Sequence, residues 1–94
     1  MRILVTPTFE RTAKKLHQHQ KAVLDEAVRT TAKQPDIGET KVGDLAGVQV
    51  YKFRMGNLWC SLAYRVLDET TLKLLMVGPH ENFYRNLKRT DQAH

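Results

Sequence analysis

Hydrophobic residues fall along this chain in two rhythms, and the change between them divides it. Arg2 to Thr6 is a short β-branched, apolar run closed by Pro7, which predicts a first strand. Thr8 can cap the helix that follows, with Phe9, Ala13 and Leu16 at helical spacing. From about Gln18 to Lys33, a second helix is predicted. Ala22, Val23, Ala27 and Val28 form its apolar stripe with Leu24 at the edge, flanked by Lys21, Asp25, Glu26 and Arg29. Two short helices in series make an antiparallel hairpin. Gln34 to Gly47 contains Pro35, Gly38, Gly43 and Gly47 and reads as a loop, with Leu45 turned inward as an anchor.

From Val48 the period becomes two. Val48, Val50, Lys52 and Arg54 share one face of a strand, and Gln49, Tyr51, Phe53 and Met55 share the other. Gly56-Asn57 is a tight-turn dipeptide suited to a hairpin. Leu58 to Val66 is the return strand. Leu58, Cys60, Leu62, Tyr64 and Val66 lie on one side of it, and Trp59, Ser61, Ala63 and Arg65 on the other. Asp68-Glu69-Thr70 turns the chain, Thr71 to Val77 is the last long strand, and a short helix or turn from Glu81 to Lys88 follows.

The order is therefore an N-terminal strand, a two-helix hairpin, an antiparallel three-stranded meander and a short C-terminal helix. That order predicts an α+β fold with one sheet. The two helices cover one sheet face, which leaves the other to solvent or to a ligand. Ninety-four residues make a single domain, 1–94, with a polar, flexible tail from about 89 to 94.

Charge adds a partner class. Fifteen Lys and Arg against ten Asp and Glu give a formal net charge of +5, which suits nucleic acid, an acidic protein or an anionic surface. A solvated basic surface accounts for the charge equally well. The single cysteine, Cys60, excludes an internal disulfide and any cysteine-based metal site, and its apolar neighbours predict an inert buried thiol. No apolar run reaches the 18 residues of a membrane span, and the start from Met1 to Pro7 is too short an apolar stretch for a signal peptide. The expectation is a cytoplasmic protein without a cofactor. The chain shows no Gly-rich phosphate loop or dinucleotide fingerprint.

Candidate chemistry lies in two places. Lys52 and Arg54 alternate along one strand, so their side chains leave the same face about 7 Å apart. That spacing suits the backbone of an extended nucleic acid, or a pentacovalent phosphorane between them. Cations that merely keep an exposed face soluble would look the same. After the last strand, Gly78-Pro79-His80-Glu81-Asn82-Phe83-Tyr84-Arg85 gathers an imidazole, a carboxylate, a phenol and a guanidinium. Imidazoles exchange protons near neutral pH, and strand ends are where scaffolds present chemistry. A histidine capping a backbone carbonyl is the plainer reading of His80. Tyr84, four residues on, shares a helical face with His80 and can stack on a base or bond a phosphate. Phe83 points to the core. Arg65, Arg85 and Lys88 are candidate phosphate contacts. Glu81 fits a general base and a helix N-terminal carboxylate equally. His17, His19 and His94 have no assigned role, and no metal set is expected.

Metal-free RNA cleavage needs a base for the 2′-hydroxyl, cations for the phosphorane and an acid for the leaving 5′-oxygen. Lys52, Arg54 and His80 supply part of this. The paired histidines of a self-sufficient ribonuclease are missing, so weak activity on free RNA is expected, with positioning by a larger body.

Over nearly its whole length the chain resembles the RelE/ParE superfamily of toxins from bacterial type II toxin–antitoxin systems. The segments that carry the resemblance are Phe9-Glu10-Arg11 with Lys14-Lys15-Leu16, Leu45-Ala46-Gly47-Val48, Tyr51-Lys52-Phe53-Arg54, Leu62-Ala63-Tyr64-Arg65 and Val77 to Tyr84. The RelE branch cuts mRNA in the ribosomal A site. This resemblance implies a metal-independent endoribonuclease (mRNA interferase) that inhibits translation, with Lys52, Arg54, His80 and Tyr84 as the catalytic set. Ser61 stands where RelE has an arginine, and Arg65, farther along the same strand face, is the candidate substitute. The ParE branch instead inhibits DNA gyrase through protein contacts. A non-catalytic nucleic-acid-binding module is a third reading. The resemblance also implies a cognate antitoxin, acidic and partly disordered, beside the ribosome and mRNA as partners.

Overall fold

A computed structural model describes residues 1–81 and 83–92, the last three as backbone. Strand β1 (Arg2–Val5) leads into helices α1 (Pro7–Lys14) and α2 (Gln18–Lys33). After a one-turn 3-10 helix at Pro35–Ile37 come the two-residue strand β2 (Glu39–Thr40) and a second 3-10 turn at Gly43–Leu45. Strands β3 (Val48–Met55), β4 (Leu58–Asp68) and β5 (Thr71–Pro79) then form the meander, and helix α3 (Phe83–Gln92) follows. The five strands make one sheet in the order β1-β5-β4-β3-β2. β1 lies parallel to β5, and the other pairs are antiparallel.

This is the expected α+β order, with particulars the pattern did not give. The cap of α1 is Thr6, not Thr8. Its Oγ1 accepts from Phe9 N at 3.0 Å, and Pro7 occupies the first turn, where a missing N–H costs nothing. The same hydroxyl donates to the Leu75 carbonyl at 2.6 Å. Pairing between β4 and β5 slips there, because Ala63 faces Met76 while Tyr64 faces Leu74. Leu75 is thus a bulged residue, and Thr6 satisfies its carbonyl. On α2 the buried line is Leu24, Ala27 and Thr31, with Val23 and Val28 beside it, and Ala22 is exposed. The larger Leu24 takes the central place that the smaller Ala22 was expected to share.

Two cores flank the sheet. Phe9, Leu24 and Ala27 pack on Phe53, Cys60, Leu62, Tyr64, Leu72, Leu74 and Val77 on the helical-hairpin side. On the opposite side, Phe83 and Leu87 of α3 and the anchor Leu45 pack on Val48, Val50, Ala63, Leu75 and Met76. The second face is therefore not left wholly to solvent. α3 covers one end of it, which explains why Cys60 through Tyr64 are buried on both parities. The helix continues to Gln92, beyond the Lys88 at which the sequence pattern ended it. Ala93 and His94, the end of the expected tail, lie outside the described residues, as does Asn82.

Tyr64 ties the β2 segment to the sheet. Its buried hydroxyl accepts from Gly38 N at 3.0 Å and donates to the Pro35 carbonyl at 2.7 Å. A Cβ at Gly38 would stand 2.6 Å from that oxygen, so the close approach requires glycine. Burial pushes the Tyr64 phenol pKa up, and the Gly38 N–H partly opposes this. No described helix is long and apolar enough to cross a membrane.

Candidate active site

The hairpin register assembles the open end of the second face. Lys52 pairs with Ser61, which pairs with Gly78 of β5. One step along, Arg54 pairs with Trp59, and the Trp59 carbonyl accepts from His80 N at 3.1 Å. Gly56, at φ 66° in the two-residue turn, fixes this register. Two adjacent rows result, Lys52–Ser61–Gly78 and Arg54–Trp59–His80, with side chains on a common face. Along β3, burial passes from Val48 and Val50 in the core to exposed Lys52 and Arg54, because α3 ends its cover there.

His80 lies past Pro79, where β5 gives out. Its Nδ1 is 3.3 Å from the Oγ of Ser61, a fully buried hydroxyl. The ring also meets Tyr84 edge-on, with centroids 5.8 Å apart and planes at 85°. A hydroxyl can donate to an imidazole nitrogen or accept from it, so Ser61 serves either protonation state of His80. In both, Nδ1 is engaged, and Nε2 is the nitrogen left for chemistry on the exposed side.

Tyr84 is half-buried on α3, with Phe83 edge-on to it at 5.8 Å. Lys41 Nζ lies 4.7 Å from the centroid of the Tyr84 ring. Lys41 also bonds Glu39 Oε1 at 2.9 Å. That bond raises the Lys41 pKa, burial opposes it, and the Tyr84 hydroxyl adds to the rise. Glu39 is held below the usual carboxylate range by Lys41 first, and Lys52 contributes. Glu39, Lys41, Lys52 and Tyr84 are thus electrostatic neighbours. Neither Glu39 nor Lys41 carries a sequence signal, since a two-residue edge strand in a glycine-rich loop has no periodicity to read. Trp59 and Ser61 were legible as members of the Arg65 parity, but not as neighbours of His80.

The structure brings together Lys52, Arg54, His80 and Tyr84. It does not bring Arg65 to them. Arg65 is four residues beyond Ser61, about 13 Å along the strand. There its Nη1 donates to the Ala46 carbonyl at 3.0 Å, beneath Gly47 at φ 87°. Lys88 faces Asp44 at 3.6 Å, and Arg85 is exposed on α3. Glu81 is exposed just before α3. Among the described residues, no three His, Cys, Asp or Glu side chains converge as a metal site.

Residues 3–88 match the family model described as the ParE-like toxin of type II bacterial toxin–antitoxin systems. No curated protein matches the chain in sequence. Among solved structures, an arginine mutant of the Escherichia coli toxin RelE in its free state is similar at a TM-score of 0.74 and 17% identity, over 99% of this chain and 97% of that one. The toxin–antitoxin complex RelBE2 of Mycobacterium tuberculosis is similar at 0.65 and 29%, over 84% and 96%. The intact E. coli RelBE complex is similar at 0.65 and 19%, over 83% and 94%.

Proposed function

This chain belongs to the ParE-like toxins of type II bacterial toxin–antitoxin systems, within the RelE/ParE superfamily, and from that premise we propose that it is a ribosome-dependent mRNA endoribonuclease. The observation that carries the reading is the His80 ring, in contact with Ser61 and Tyr84 on the sheet face that also presents the exposed cations Lys52 and Arg54. In the proposed reaction the 2′-hydroxyl oxygen attacks the adjacent phosphorus and gives its proton to water. Lys52 and Arg54 stabilise the charge that gathers on the phosphorane oxygens. The bond from phosphorus to the 5′-oxygen breaks, and His80 Nε2 delivers a proton to that oxygen. The products are a 2′,3′-cyclic phosphate and a 5′-hydroxyl. Tyr84 and Lys41 flank the phosphate path. The described side chains offer no second imidazole near His80, so alignment of the 2′-hydroxyl falls to the ribosome.

The cytoplasm, where ribosomes and mRNA are found, is the proposed place of action. The proposed inhibitor is a cognate antitoxin, as in the RelBE complexes. Apolar surface supports a protein partner. Ile3, Leu4 and Val5 are exposed on the edge strand β1, and a groove of about 390 Å³ between α1 and α2 is lined by Val5, Phe9, Ala13, Leu24, Val28 and Leu74.

The test is incubation of purified toxin with mRNA on programmed ribosomes, beside naked mRNA. Cuts within the A-site codon on ribosomes alone are expected. The ParE-like family match and the serine at position 61 favour DNA gyrase as the second reading. Intact mRNA together with loss of gyrase supercoiling would establish that reading instead.

A further inference from the structure

The chain's one tryptophan, Trp59, is 52% exposed at the start of β4. So large an apolar ring usually contributes most of its area to a core or an interface. Here it stands on the open face with Lys52, Arg54 and His80. Three features hold it there. Its backbone pairs with Arg54 across the hairpin, its carbonyl takes the His80 N–H at 3.1 Å, and the Arg54 guanidinium carbon lies 5.5 Å from its ring centroid. The Trp59 backbone is thus tied to that of His80 by one hydrogen bond. Ser61, the hydroxyl partner of His80, lies two residues farther along the same strand face, about 7 Å away. That is about one nucleotide step of an extended single strand. Aromatic faces alternating with cations are how proteins hold single-stranded nucleic acid.

We propose that Trp59 is the stacking platform for the base next to the scissile phosphate of single-stranded RNA, with Arg54 bound to the intervening backbone. The inference rests on the endoribonuclease reading and adds a base subsite to it. Arg54 then has two roles that its geometry allows together, because a guanidinium against an indole keeps its N–H edges free to bond phosphate.

The test is single-turnover cleavage on programmed ribosomes by wild type, Trp59→Phe and Trp59→Ala. Each is given intact mRNA, or mRNA with an abasic nucleotide on one or the other side of the scissile bond. For Trp59→Ala the toxin concentration at half-maximal rate should rise about tenfold, within the range for loss of one base stack, and the defect should fall there rather than on the plateau. Trp59→Phe should recover most of the affinity. One of the two abasic mRNAs should weaken wild type by a similar factor and weaken Trp59→Ala no further. Equal half-saturation for wild type and Trp59→Ala, or penalties that simply multiply, would overturn the proposal. If Trp59→Ala does not fold, the abasic arm with wild type and Trp59→Phe decides alone, since unchanged wild-type affinity for both abasic mRNAs contradicts the stack. A wild type that cuts no mRNA removes the endoribonuclease reading itself, and the subsite with it.

Discussion

Ser61 Oγ stands 3.3 Å from His80 Nδ1, and it reaches that nitrogen from a position with no exposure to solvent. The pair joins the middle strand of the sheet to a residue past the end of its neighbour. It gives an exposed imidazole a fixed orientation, which a strand end alone does not.

In the proposed reaction Ser61 is accordingly a positioning residue. Ser61→Ala should lower the cleavage rate by about 10- to 100-fold, the range expected when a reacting group loses alignment. Ser61→Thr keeps the hydroxyl, and the residue paired with it on β5, Gly78, carries no side chain. It should restore the rate. An Ala variant with unchanged rate would show that the contact is only structural.

Tyr64→Phe removes one oxygen from a dense core and leaves Gly38 N and the Pro35 carbonyl without their partner. A loss of about 1–3 kcal/mol in unfolding free energy is expected, read from urea melts. The same change loosens the chain leading to Glu39 and Lys41, so hydrogen exchange at β2 should accelerate more than at β4.

Cys60 is buried in the helical-hairpin core, and burial raises its thiol pKa. The folded value lies above the unfolded one. The thiol therefore contributes stability that is fully present below the unfolded pKa of about 8.5 and is lost as pH rises through the higher folded value. Native protein at pH 8 should resist alkylation, and urea-unfolded protein should react at the rate of a free cysteine. Fast alkylation of the native protein would contradict the packing.

How much of this was legible in the sequence depended on whether a residue belonged to a long periodic element. The α2 bounds at Gln18 and Lys33 and the hairpin at Gly56-Asn57 follow directly from pattern. So did the burial of Leu45 and Phe83. Thr6 was hidden because Pro7 ends a strand and begins a helix with the same ring. Leu24 was read at the edge because periodicity counts positions, whereas packing weighs size. The site was half legible. Its basic pair and its histidine stand out by type, but the contact of Ser61 with His80 spans 19 residues and is set by strand register. Parity alone could not separate Ser61 from Arg65, since both share a face, and distance along β4 decides between them. Lys41 reaches Tyr84 from a two-residue strand that no pattern announces.

In the proposed reaction His80 protonates the leaving 5′-oxygen. The most direct measurement is single-turnover cleavage on programmed ribosomes by wild type and His80→Ala. Two mRNAs are compared, one ordinary and one with sulfur replacing the bridging 5′-oxygen, a leaving group that needs no acid. His80→Ala should lose about 10²–10⁴-fold on the ordinary mRNA and regain most of that on the sulfur-bridged one. Equal rates for wild type and His80→Ala on the ordinary mRNA, or a loss that persists undiminished with sulfur, would contradict it.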